Sequence, residues 1–140
     1  MYYLDTSIVA AFYLPETASP RVQAFYSRAG RAVISALSEV EFHSALSRRV
    51  RMKELSREDA RRALAQFRAH VLEGLYELAP LNAHEYLLAR DWLGGFDSPL
   101  RTLDALHLAV SCSNGLTLVT ADNDLAHCAG RLGVKRHRTA

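Results

Sequence analysis

At 140 residues the chain has room for one domain, residues 1–140, with a core large enough to fold without disulfide or metal staples. Hydrophobic residues at 49% and charged residues at 23% give a globular balance that argues against disorder. The net charge of +2 is modest, but 15 of the 17 basic residues are arginine, whose planar fork suits phosphate oxygens. A biased base composition of the coding DNA would leave the same mark.

No apolar run approaches the roughly 18–20 residues needed to span a bilayer. The N-terminus, MYYLDTSIVAAF, has no basic segment and meets Asp5 at once, which does not fit a secretory signal. A cytoplasmic protein with no membrane association is expected. Cys112 and Cys128 lack CxxC spacing and a nearby histidine pattern, so both are expected as buried, reduced thiols.

The first strand reads Tyr2-Tyr3-Leu4 and ends at Asp5-Thr6-Ser7. An apolar helix from Ile8 to Tyr13 follows and stops before Pro15. A helix around Arg21–Arg28 ends at Gly30, and Ala32-Val33-Ile34 forms the second strand. Ser38 opens a helix with Phe42, Leu46 and Val50 at four-residue spacing. Ser56 caps the next, whose Ala60, Ala63, Leu64, Phe67 and Val71 make one stripe.

Leu75–Leu78 is a third strand, closed by Pro80, and Asn82–Leu93 is helical up to Gly94-Gly95. Thr102 is a candidate cap for a helix over Leu103–Cys112 that is apolar almost all round, and is therefore expected to be buried. Leu116–Thr120 is the fourth strand, Asp122–Arg131 the last helix, and Gly133–Lys135 a short edge strand. Strands alternating with helices predict a three-layer α/β/α fold around a parallel sheet of four to five strands. Ligands of such sheets bind beyond the carboxyl ends of the strands.

Four acids fall in that layer, each read as lying where a strand gives way to a helix. Asp5 and Asp122 each stand where an N-cap belongs. Glu41 closes Ser38-Glu39-Val40-Glu41, an S-x-x-E capping box. Asp104 sits in the first turn of the apolar helix, where a bare buried charge is costly unless paired or metal-bound. Asp124 competes with Asp122 for the fourth place. Taken singly, Asp5, Glu41 and Asp122 are better explained by helix capping. Together they form a carboxylate cluster that a cation would relieve, and oxygen donors without His or Cys select Mg²⁺ or Mn²⁺.

These segments resemble the PIN-domain nucleases, in particular the VapC-type toxins of bacterial toxin–antitoxin pairs. The resemblance rests on Tyr3-Leu4-Asp5-Thr6-Ser7, Ile34-Ser35 through Glu41-Phe42, Leu103-Asp104-Ala105-Leu106-His107-Leu108-Ala109 and Leu118-Val119-Thr120-Ala121-Asp122-Asn123-Asp124-Leu125. It implies strand order 3-2-1-4-5 and a catalytic quartet of Asp5, Glu41, Asp104 and Asp122, with Thr6 or Ser7 beside the first acid. Asp5, Asp104 and Asp122 would hold Mg²⁺, with Mn²⁺ able to substitute; Glu41 would orient the water or hold a second ion. It further implies hydrolysis of RNA phosphodiester bonds, a small antitoxin as partner, and a homodimer.

Candidate phosphate contacts are Arg101, the run Arg48, Arg49, Arg51 and Lys53 continued by Arg57, Arg61 and Arg62, and the tail Lys135–Arg138; each basic run is equally a solvated surface. The six histidines show no ligand spacing, and His107, one turn after Asp104, fits a packing role or support of the site. An aspartate-nucleophile phosphotransferase is disfavoured because Ser7 stands where a second Asp is needed, and a receiver domain because the third strand ends in Ala79-Pro80. The remaining alternative is a catalytically silent PIN-like module that binds RNA or acts as a scaffold.

Overall fold

The side chains of the central strands are buried on both faces, and this decides the architecture. A computed structural model describes residues 1–139. Its sheet comprises β1 (Tyr2–Leu4), β2 (Ala32–Ile34), β3 (Tyr76–Leu78), β4 (Thr117–Thr120) and β5 (Arg136–Arg138), all parallel, in the order β3-β2-β1-β4-β5. The helices are α1 (Thr6–Tyr13), α2 (Ser19–Ala29), α3 (Ala36–Arg51), α4 (Arg57–Leu72), α5 (Ala83–Leu93), α6 (Thr102–Ser113) and α7 (Asn123–Arg131).

Successive strand residues point to opposite faces. Leu4, Ala32, Ile34 and Val119 enter a core with α1 to α4, whereas Tyr3, Val33 and Leu118 enter a second core with Leu108 of α6 and Leu125 of α7. Alternation thus makes a three-layer sandwich, with α1 to α4 on one face and α5 to α7 on the other. Among the described residues no helix is long and apolar enough to cross a membrane.

On the first face an aromatic group fills the core. Phe67 lies 5.2 Å from Phe42 and 5.6 Å from Tyr13, ring centre to ring centre. The buried hydroxyls there satisfy one another: Tyr13 meets His70 at 2.7 Å and Tyr76 at 2.8 Å, and Tyr76 meets Tyr26 at 2.9 Å. Burial pushes all three phenols above their ordinary value, so they stay protonated.

Several boundaries differ from expectation for identifiable reasons. Helix α3 starts earlier, with Ser35 as its N-cap and Ser38 as the third residue in, and these two serines form the capping box. Glu41 therefore lies beyond the capping turn. Thr102 is the first residue of α6 rather than its cap. Asp104 stands in that first turn, but α6 follows α5 rather than a strand, and Glu41 lies a turn inside α3, so only Asp5 and Asp122 lie at strand-to-helix junctions.

Leu103 is 45% exposed because the first turn of α6 projects beyond its packing partners. Cys112 is exposed and only Cys128 is buried. The last strand is the basic tail itself, Arg136–Arg138, and not Gly133–Lys135. Gly133 turns the chain at φ 73°, and Val134 is buried as an anchor. Arg136 then lays its guanidinium over α7 at Gly130, where an added Cβ would come within 2.6 Å of it.

Phe67 is 1% exposed and Leu72 on the same helix is 88% exposed. Phe67→Ala is expected to destabilise the fold by about 3–5 kcal/mol. Leu72→Ala should stay within about 0.5 kcal/mol of wild type. Urea unfolding followed by circular dichroism checks both.

Candidate active site

Asp5 leaves the end of β1, the middle strand, and is buried at 4% exposure. Its carboxylate accepts three hydrogen bonds from two elements, α1 and β4. Oδ1 takes the Ser7 hydroxyl at 2.5 Å and the Ile8 backbone N–H at 3.3 Å, and Oδ2 takes the Thr120 hydroxyl at 2.6 Å. Burial pushes the Asp5 carboxyl above its ordinary range, while the Ser7 and Thr120 hydroxyls, His107 and the Ile8 N–H oppose the rise. Asp5 is at once the N-cap of α1 and the floor of the site.

The same hydroxyls tie β1 to the end of β4. Thr120 Oγ1 donates to Asp5 and accepts the backbone N–H of Asp122 at 2.9 Å. Ser7 Oγ donates to Asp5 and accepts the N–H of Ala121 at 3.1 Å. Asp122 is thereby held two residues beyond the strand, where its Oδ1 caps α7 by accepting from Asp124 N–H at 2.8 Å and Leu125 N–H at 3.2 Å. Asp124 is exposed and supplies only a backbone donor to this arrangement.

Glu41 projects from the second turn of α3. Its Oε1 accepts the Thr6 hydroxyl at 2.8 Å and contacts His107 Nε2. Burial works to raise the Glu41 carboxyl, but the hydrogen bonds of His107 and the Thr6 hydroxyl outweigh it and hold it below the ordinary range. Thr6 and Ser7 thus divide the work beside the first acid, Thr6 serving Glu41 and Ser7 serving Asp5.

Asp104 is half-buried. Its one cationic neighbour among the described residues is Arg101, at 3.8 Å and largely exposed, which contributes little as an ion pair. Burial pushes the Asp104 carboxyl up, Arg101 draws it down, and the negative charge of Asp122 raises it again; the balance lies above the ordinary value. Asp104 and Asp122 therefore feel each other's charge. His107, one turn along α6, lies within electrostatic reach of Asp5, Glu41 and Asp104.

A cleft of about 460 Å³ opens from Thr6 and Glu41, runs along α3 past Ser44, Arg48 and Met52, and is walled by Leu103. Arg49 also lines it but is ion-paired to Glu16. Arg51, Arg57 and Arg61 line a different groove, between α3 and α4. The basic run thus divides; Arg48 lines the cleft with Glu41, and Arg101, outside the run, stands beside Asp104.

The donors are carboxylate and hydroxyl oxygens, the chemistry that suits a hard divalent cation. Among the described residues no three acids, histidines or cysteines stand close enough to make a ready-formed cage. Glu41 Oε2 and Asp122 Oδ2 accept no hydrogen bond from the described residues, so each retains coordinating capacity. Thr120, Tyr3 and Ser35 belong to the hydrogen-bond scaffold of the site but were not marked by their residue types. Only the T-A-D run around Thr120 carried a hint.

The chain matches the PIN domain family over residues 2–131. No curated protein matches it significantly in sequence. Among solved structures it is similar to VapC20 of Mycobacterium tuberculosis, described as a sarcin-ricin loop cleaving toxin, with TM-score 0.76 and 20% identity over 99% of each chain. It is also similar to FitAcB of Neisseria gonorrhoeae, with TM-score 0.73 and 17% identity over 99% of this chain and 98% of that one. DNA-bound VapBC of Salmonella typhimurium gives TM-score 0.65 and 19% identity, covering 99% of this chain and 98% of that one. At these identities the likeness is one of fold, and the extent of the family match settles the assignment: the chain belongs to the PIN domain family.

Proposed function

We propose that this protein is a Mg²⁺-dependent endoribonuclease and the toxin of a toxin–antitoxin pair. The observation that carries the nuclease reading is the hydrogen-bonded set of Asp5, Glu41 and Asp122, joined through Thr6, Ser7, Thr120 and His107, with Asp104 within electrostatic reach of Asp122 and His107. Asp104 supports it further, because its charge is opposed by burial and by Asp122 and the cation beside it, Arg101, is largely exposed. The residues present fit a hard cation held by Asp5, Asp104 and Asp122, with Mn²⁺ able to replace Mg²⁺. Mg²⁺ keeps several of its waters, so carboxylates that close no ready-formed cage could still hold it.

When bound, such an ion lowers the pKa of a coordinated water and offsets charge on the phosphorane. The protein's own part is positional. Asp5 is held rigid by its donors, so one wall of the site is preorganised. Glu41 would orient the attacking water, and Arg48 and Arg101 would take phosphate oxygens of the RNA strand. The cleft along α3 supplies the path.

The toxin role rests on the structural neighbours: one is described as a sarcin-ricin loop cleaving toxin, and others are VapBC assemblies. A small antitoxin is proposed on the same basis, and a homodimer on the family resemblance alone. The protein purified free of any partner is expected to cut single-stranded RNA with Mg²⁺ or Mn²⁺ and to stop in EDTA. Asp104→Asn should lower the rate by about two to three orders of magnitude. Gel assay of labelled RNA checks both, and RNA binding without cleavage by the intact protein would favour the silent module instead.

A second expectation comes from the acids' protonation. Asp5 and Asp104 hold protons more tightly folded than unfolded, so without metal their contribution to stability is full below the ordinary carboxylate range and is lost as pH rises through their folded values. Glu41 acts in the opposite sense, losing its contribution as pH falls through its lowered value. Metal must displace the tightly held protons, so Mg²⁺ should raise Tm more at pH 7.5 than at pH 5. At about 100 times its Kd the stabilisation should approach roughly 2.7 kcal/mol, and Asp104→Asn should reduce it. Scanning calorimetry at the two pH values measures the difference.

A further inference from the structure

A buried chain of hydrogen bonds runs from the start of α3, through the centre of the sheet, to Glu41. Ser35 Oγ lies 2.8 Å from Tyr3 Oη, and Tyr3 Oη lies 2.7 Å from His107 Nδ1. On the other side of the ring, His107 Nε2 contacts Glu41 Oε1, which also accepts from Thr6. Tyr3 is fully buried and His107 is 2% exposed. Water has little access to the chain, so its polar atoms must satisfy one another.

The order of donors follows from the ends. A carboxylate only accepts, so the nitrogen facing Glu41 must carry a proton. With the proton on Nε2, Nδ1 becomes the acceptor and the Tyr3 hydroxyl donates to it. The Tyr3 oxygen can then accept from Ser35, whose own backbone N–H is taken up by Ser38 Oγ at 3.2 Å. The reverse order sets a bare Nε2 against a carboxylate oxygen in an enclosed site and leaves both unsatisfied, an arrangement costly in a protein interior.

We infer that Tyr3 and His107 are positioning residues that fix the Glu41 carboxylate: Tyr3 selects the His107 tautomer with its proton on Nε2, and that N–H holds Glu41 Oε1. The nuclease reading supplies the purpose. Oε1 is fully engaged, so Oε2 is the oxygen left to meet water, a cation or substrate in the cleft. The device also links the anchored start of α3 to the site, because Ser35 both caps that helix and sets the orientation of Tyr3.

The test combines ring NMR with kinetics. In ¹⁵N-labelled protein without RNA, His107 is expected to show the pattern of a proton on Nε2 and none on Nδ1, and Tyr3→Phe, which preserves ring packing, should abolish that single-tautomer pattern. Tyr3→Phe should lower kcat for RNA cleavage by about 10- to 100-fold with KM nearly unchanged. His107→Gln, whose amide can donate from about the place of Nε2, should retain more activity than His107→Leu. A proton on Nδ1 in the wild type, or full kcat in both Tyr3→Phe and His107→Leu, would overturn the inference. The tautomer is read without substrate, so a wild-type protein that cuts no RNA refutes the nuclease reading while an Nε2–H ring still upholds the arrangement around Glu41.

Discussion

The burial of Asp5 at the end of the middle strand constrains everything around it. A carboxylate with almost no access to water must be met by donors, and here they come from Ser7, Ile8 and Thr120. Two of those donors belong to α1 and one to β4. Satisfying Asp5 therefore fixes the β1–α1 and β4–α7 junctions relative to each other. Asp122 is carried into place as a consequence, since Thr120 also accepts its backbone N–H.

Capping and site-building are not alternatives in this protein. Asp5 and Asp122 each accept backbone N–H groups at a helix start, and each stands beside the other acids. A helix N-terminus favours a negative charge, which offsets part of the repulsion among clustered carboxylates. Asp104 caps no helix, and burial and the charge of Asp122 push its carboxyl above the ordinary range. The fold concentrates negative charge and leaves that charge incompletely answered, as expected where function sets the composition.

The order of elements was legible because strand and helix differ in the period of their apolar residues. The central strands and the stripe ending at Val71 followed from that pattern directly. β5 did not, because Arg136-His137-Arg138 is an exposed edge with no apolar face to detect. Glu41 illustrates the opposite failure. S-x-x-E at Ser38 has the spacing of a capping box, but Ser35 takes the cap, and only the tertiary fold brings His107 and Thr6 to the freed glutamate. Tyr3 was visible only as a strand residue, since its partner His107 lies more than a hundred residues away.

The central claim is that the four acids form one cation site, and the most direct measurement is the anomalous scattering of Mn²⁺ soaked into crystals of the protein. The account predicts a peak bounded by the carboxylates of Asp5, Asp104 and Asp122, with Glu41 beside it. A peak only at other residues, or none at Mn²⁺ concentrations that support cleavage, would contradict it.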